Sequence, residues 1–215
     1  FRSPTFDGQA AREYVEDALL AQWGEAISRG DRERAEQLLT SAEQAARALA
    51  SGGGDQMPED EVRLIRRYQR TGDRAAVRRL GEGHPLYASA RRALANDRLD
   101  EAAATMAQAA HAFKLSGSPY QHWLPMYEAF ALRFQQKADL GLRRLQQAPL
   151  ERLPEAYHHL RGRLAWAEGV LQGALGRFDL EPAHLRLAVR EFEMGHEQDY
   201  ELAARTILAE TEWYL

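Results

Sequence analysis

The sequence predicts an all-α chain arranged as an α-solenoid of antiparallel helix pairs, and three observations lead there. The long stretches are built from Ala, Leu, Arg, Glu and Gln, while Val, Ile and Thr are scarce, which is a helical and not a strand vocabulary. Apolar residues recur at three- and four-residue spacings that a helix gathers on one face. The turns Asn96-Asp97, Ala138-Asp139 and Gly176-Arg177 recur at about 40 residues, a period at which each helix pair buries its apolar face only against its neighbours.

Each element follows from local chemistry. Tyr14, Ala18, Ala21 and Trp23 give a helix over 10–29 that Gly30-Asp31 ends, and Ala35, Leu38, Leu39, Ala42, Ala46 and Leu49 give the next. The run Gly52, Gly53, Gly54 opposes helix by about 1 kcal/mol per glycine and predicts a linker. The expected organisation is an N-terminal helix pair over 1–51, a Gly-rich linker over 52–58, and helical repeats over 59–215 that either end with the fragment or continue beyond it. Pro58 and the acidic residues after it start a helix, and Gly72-Asp73 and then Gly81 with Gly83 break the following stretch into short pieces. Beyond Pro85, helices are expected over 86–95, 99–115, 120–136, 140–147, 154–175, 180–194 and 200–215.

Composition bounds the function. At 215 residues the chain is long enough for a sizeable core, and 45% hydrophobic with 28% charged residues is the balance of a globular chain. A formal net charge of -4 argues against a nucleic-acid binder relying on overall basic charge. The absence of cysteine removes disulfides, thiolate metal sites and cysteine nucleophiles. No segment reads as a signal peptide or a membrane span, so a cytoplasmic location without membrane attachment is expected. The chain starts at Phe1 and not at Met, which points to an excised fragment or a processed chain.

Tyr127, Phe130, Ala131 and Phe134 follow a large, large, small and aromatic order along one helix, Gly169 takes the small place on another, and Gly30-Asp31 with Ala35 and Ala42 falls at an inter-helix turn and its crossing. In these positions the helix pairs resemble tetratricopeptide (TPR) repeats. The succession Gly83-His84, Tyr87, Ala109-Ala110, Gly117 to Tyr120, Trp123, Leu160 to Trp166, Gly176 to Phe178 and Phe192-Glu193 is similar to bacterial repeat regions that precede caspase-like CHAT domains. The resemblance implies a right-handed solenoid that serves as an accessory or regulatory array, and the 40-residue period with the lack of a catalytic set predicts a non-enzymatic scaffold that binds a protein or peptide, with no cofactor. The resemblance also implies a concave groove to which Glu128, Gln135, Arg163 and Trp166 contribute.

The remaining candidates are weighed on the residues themselves. Glu155 with His158, and Glu181 with His184, each place a carboxylate and an imidazole on one helix face, the spacing used in four-helix di-iron sites. Both pairs fall in first helical turns, so they read as capping and surface residues and no metal is expected; a metal- or small-ligand-binding helical enzyme is the alternative. No phosphate-binding glycine loop or nucleophile elbow occurs. Arg63, Arg66, Arg67, Arg70, Arg74, Arg78 and Arg79 form a basic stretch able to dock a phosphate or acidic peptide, with Arg63, Arg67 and Arg70 as contact candidates. The C-terminal end is acidic, and Ala203, Ala204, Ile207, Leu208 and Leu215 form an apolar stripe that suggests a homo-oligomer or further repeats. A sensor array of a transcription regulator is a third reading of the same repeats.

Overall fold

A computed structural model describes residues 7–215; the expectation drawn from Phe1 lies outside them. The described residues are almost wholly helical, and no strand occurs among them. They divide into two compact units, one formed by 10–52 and 56–124, the other by 7–9, 53–55 and 125–215. The first is called the arginine unit below and the second the C-terminal unit.

In the arginine unit, α1 (Gly8–Glu13) continues through a π-helical stretch (Tyr14–Leu20) into α2 (Ala21–Arg29). Then follow α3 (Arg32–Gly53), α4 (Met57–Thr71), α5 (Arg74–Ala95), α6 (Leu99–Ser116) and a 3-10 turn (Pro119–Trp123). The core gathers Leu20, Trp23, Leu39, Ile65, Leu80, Tyr87, Met106 and Phe113, all fully enclosed. α5 packs against both α2 and α6.

The sequence suggested that glycines 81 and 83 would break the chain before Pro85, but α5 runs unbroken through all three. The glycines serve helix contact. A Cβ on Gly83 would lie 2.6 Å from Cε1 of Phe113, and one on Gly81 would lie 2.9 Å from Cγ2 of Ile27. On the other side of that crossing, a Cβ on Gly24 would meet Cδ of Pro85 at 2.7 Å. Bare backbone at these points lets α2 and α6 approach α5 more closely than side chains would allow, and packing outweighs the low helix propensity of glycine.

The predicted linker over 52–58 is non-helical only at 54–56. α3 includes Gly52 and Gly53, and α4 has begun by Met57. Gly54 adopts the left-handed backbone (φ +74°), where side chains are strained, and a Cβ there would lie 3.1 Å from the carbonyl oxygen of Met194. This glycine answers to a tight turn and a close contact within the C-terminal unit.

That unit contains α7 (Leu124–Phe134), α8 (Ala138–Leu145), a 3-10 turn (Leu150–Arg152), α9 (His158–Ala174), α10 (Glu181–Met194) and α11 (Gln198–Tyr214). α10 packs on α9 and on α11, enclosing Ala165, Ala188, Val189, Phe192 and Ala204. The pair α9/α10 repeats the chemistry of α5/α6 at a fixed offset of 79 positions: Gly83 and Gly162, Tyr87 and Trp166, Met106 and Leu185, Phe113 and Phe192. In both pairs the glycine admits the phenylalanine ring, since a Cβ on Gly162 would lie 2.7 Å from Cε1 of Phe192. A tyrosine then lies against each ring, Tyr120 tilted by 46° against Phe113 at 5.7 Å and Tyr200 stacked on Phe192 at 5.5 Å between centroids.

Of the C-terminal stripe, Ala204 is fully buried, Ala203, Ile207 and Leu208 are half-buried and Leu215 is exposed. Trp213 and Tyr214 are 79% and 76% exposed, so the last turn of α11 presents aromatic surface. No helix among the described residues is long and apolar enough to cross a membrane.

Candidate functional site

Two Gly-Asp-Arg turns build one end of the arginine unit. Gly30 (φ +74°) closes α2, Asp31 Oδ1 accepts the backbone N–H of Arg34 at 3.1 Å, and Arg32 begins α3. Gly72 (φ +73°) closes α4, Asp73 Oδ1 accepts the backbone N–H of Ala76 at 2.9 Å, and Arg74 begins α5. The same chemistry operates in both: glycine supplies the left-handed residue that ends one helix, and the aspartate caps the next.

Both turns border a cleft of about 740 Å³. Ile27, Tyr68 and Val77 provide an apolar and aromatic wall, and Arg32, Arg70, Arg74 and Arg78 line the cleft as well. None of these four arginines pairs with an acidic side chain of the described residues. The two carboxylates that also line the cleft are engaged, Asp31 as the cap and Glu36 by Arg66 at 2.6 Å. Tyr68 is held in place by its hydroxyl, which donates to the carbonyl of Ser116 at 2.8 Å.

The predicted basic stretch thus separates into two groups. Arg63 is bound to Glu59 at 2.6 Å and to Asp60 at 3.4 Å on its own helix. Arg66 bridges to Glu36 and Glu43 on α3. Arg67 lies over the Tyr68 ring, 5.3 Å from its centre. Arg70, Arg74 and Arg78 reach the cleft, joined by Arg32 from outside the stretch. Arg32 was missed by the sequence reading, although the repeated Gly-Asp-Arg tripeptide was the signal that would have paired it with Arg74.

The predicted groove residues lie in the C-terminal unit. Glu128 accepts two hydrogen bonds from the Arg144 guanidinium, one of them at 3.0 Å, and this pairing raises the arginine pKa. Gln135 is exposed beyond α7 and accepts from the Lys137 ammonium at 3.2 Å. Arg163 is buried, its guanidinium 4.9 Å from the centre of Trp166 and 4.5 Å from that of Tyr200. Trp166 is half-buried against the α9/α10 core and Phe130. Arg163 therefore fills an interior position and Trp166 a half-buried one at the edge of that core, equivalent by the 79-residue offset to His84 and Tyr87.

The histidines of the Glu-x-x-His pairs turn to other partners. His158 Nδ1 is 2.9 Å from Glu191, which also binds Arg161, and these bonds hold the Glu191 pKa below the usual carboxylate range despite the opposing effect of burial. His184 Nδ1 is 3.0 Å from Glu168. Burial raises the Glu181 pKa, opposed by a hydrogen bond with Thr211, and Glu155 is exposed. Among the described residues no three His, Asp or Glu side chains are grouped to hold a metal ion.

Two buried polar clusters went unseen in the sequence. Glu61 Oε2 accepts the Ser118 hydroxyl at 2.6 Å, and Glu61 Oε1 lies 2.9 Å from His84 Nε2. All three side chains are sealed from solvent, and Trp23, Phe113 and Tyr120 surround the imidazole. The serine is bonded to the carboxylate and not to the imidazole, so the set lacks the serine–histidine contact of a nucleophilic triad. It ties α4, α5 and the Ser118 turn together. In the second cluster, Glu16 of the π-helical stretch accepts from Arg12 at 3.1 Å, Arg91 at 2.8 Å and Tyr120 at 2.9 Å. Burial and the Glu16 charge push the Tyr120 pKa upward.

No known protein family, curated protein or solved structure matches the chain.

Proposed function

We propose that the chain is a non-catalytic helical-repeat scaffold, TPR-like in architecture, that docks a protein or peptide segment at the cleft between the two Gly-Asp-Arg turns. The observation that carries this reading is the set of four arginines without acidic partners around a cleft with an apolar wall. A ligand site needs shape, apolar contact and a few convergent polar groups, and a cleft of about 740 Å³ falls in the size range of such sites. Aspartate capping and the Arg66 bridges occupy the neighbouring carboxylates, so the guanidiniums can take an incoming anion without first breaking an ion pair.

The helix pairs and the internal offset of 79 positions, about twice a 40-residue repeat, support the repeat architecture. The resemblance to regions preceding CHAT domains extends the proposal to a regulatory part of a larger bacterial protein, which the parent gene would test. The exposed aromatic turn of α11 supports a further contact through the C-terminal helix, read by sedimentation at rising concentration.

The direct test is a peptide array probed with the wild type and with an Arg70→Gln/Arg74→Gln variant. Binding to a subset of peptides that the variant loses is the expected result. Retention of every interaction by a folded variant would remove the cleft from the proposal. Turnover in a hydrolase screen, or stoichiometric bound metal lost on changing His158, would replace the scaffold reading with an enzyme.

A further inference from the structure

We infer that the arginine cleft recognises a phosphorylated side chain on the docked segment; this rests on the peptide-docking reading above and narrows it. The arginine unit holds sixteen basic and sixteen acidic residues, so it has acids enough to pair its arginines. Away from the cleft seven of the other twelve basic residues pair with an acid, among them Arg29 with Glu25, Arg47 with Glu43 and Arg98 with Glu101, while Arg34, Arg67, Arg79, Arg92 and Lys114 stand scattered without one among the described residues. At the cleft the acids are directed elsewhere, and Arg32, Arg70, Arg74 and Arg78 remain without them. Lysine occurs only at 114 and 137, so the choice of arginine is general to this chain and carries no weight; the missing counter-charges do.

Four cations around one small cleft repel one another, offset only in part by the Asp31 and Glu36 carboxylates that also line it, and a ligand that neutralises several of them from one position relieves most of the remaining repulsion. A carboxylate brings a single charge, so several would have to crowd into about 740 Å³ and repel in turn. A phosphoryl group brings roughly -1.5 to -2 charges and three acceptor oxygens on one side chain. Those oxygens match guanidinium forks approaching from different sides. The wall of Ile27, Tyr68 and Val77 then accommodates apolar residues flanking the modified one. A nucleic acid fits less well, because it needs a basic track along its backbone, and this unit, neutral as a whole, carries more acidic than basic residues outside the bounded cleft.

The experiment uses fluorescein-labelled degenerate nonapeptide libraries that share random flanks and carry phosphoserine, serine or glutamate at the centre. A labelled single-stranded oligonucleotide is the fourth probe, and anisotropy is read at low ionic strength, where exposed charges are least screened. The phosphoserine library is expected to bind at least about tenfold more tightly than either other library, the scale of one or two charge-assisted hydrogen bonds. Arg70→Gln/Arg74→Gln should abolish that preference with helicity intact, and Arg92→Gln, an exposed arginine outside the cleft, should preserve it. Equal binding of the three libraries would overturn phosphate recognition and leave peptide docking standing. Binding of none would overturn both readings. Stronger binding of the oligonucleotide, or a phosphoserine preference that survives the double substitution, would likewise overturn the inference.

Discussion

Adding one methyl group at Gly83 tests whether the glycine is there for packing. A Cβ at this position would sit 2.6, 2.9 and 3.0 Å from three carbons of the Phe113 ring. The ring is fully buried and hemmed by His84 at 5.1 Å, Tyr120 at 5.7 Å and Tyr87 at 6.4 Å, so it cannot swing aside. Overpacking of this kind costs about 1–3 kcal/mol. Replacing glycine by alanine inside a helix returns about 1 kcal/mol. Gly83→Ala should therefore destabilise the protein by about 1 kcal/mol net, a melting shift of roughly 2–4 °C for a chain of this size. The decisive assay is a double-mutant cycle with Phe113→Leu, followed by denaturant titration and far-ultraviolet circular dichroism. With the rigid ring gone, Gly83→Ala should become neutral or stabilising, giving a coupling of about 1 kcal/mol or more. Costs that agree in the two backgrounds within about 0.5 kcal/mol would refute the steric argument.

The other predictions follow the same logic. Leucine at Gly169, where even a Cβ would lie 3.0 Å from Leu185, should cost about 1–3 kcal/mol in thermal melts, and an unchanged melting temperature would count against a close α9/α10 crossing. Glu191→Gln should lose about 1–3 kcal/mol at neutral pH through weakened bonds to His158 and Arg161. Because the folded state depresses the Glu191 pKa, that stabilisation is present above the ordinary value of 4.5 and is lost as pH falls through the folded pKa. Melts of wild type and variant should therefore converge in acid; a gap independent of pH would oppose the assignment. Glu61→Ala removes the acceptor shared by Ser118 and His84 in a sealed site and should cost about 3 kcal/mol or more, with Glu61→Gln milder, as read by denaturant midpoints.

What the sequence revealed and what it hid divide along a physical line. Gly30-Asp31 and Gly72-Asp73 were legible as turns because their determinants are local: a left-handed glycine and a capping carboxylate act within a few residues. Gly81 and Gly83 were misread because a glycine that ends a helix and one that admits a neighbouring ring are the same letter. The atoms that decide between them, in Ile27 and Phe113, are far away in the chain. The Glu61–His84–Ser118 cluster was hidden for the same reason, since its members come from α4, α5 and the turn before Tyr120.

The basic stretch carries the argument to the candidate site. By sequence, Arg63, Arg66 and Arg70 are equivalent members of one helical charge run. In the fold, Arg63 pairs within its helix, Arg66 is taken by Glu36 and Glu43 of α3, and Arg70 forms no ion pair with an acid of the described residues. The run indicated that positive charge was present, but only the packing of α3 beside α4 determines how much stays unneutralised. The repeated Gly-Asp-Arg turn supplies the missing link between local and distant information. It fixes two helix starts by the same local chemistry, and the packing of the unit brings Arg32 and Arg74 to one cleft. A basic cleft assembled this way needs no unusual residue, only that the acids near it be engaged with other groups.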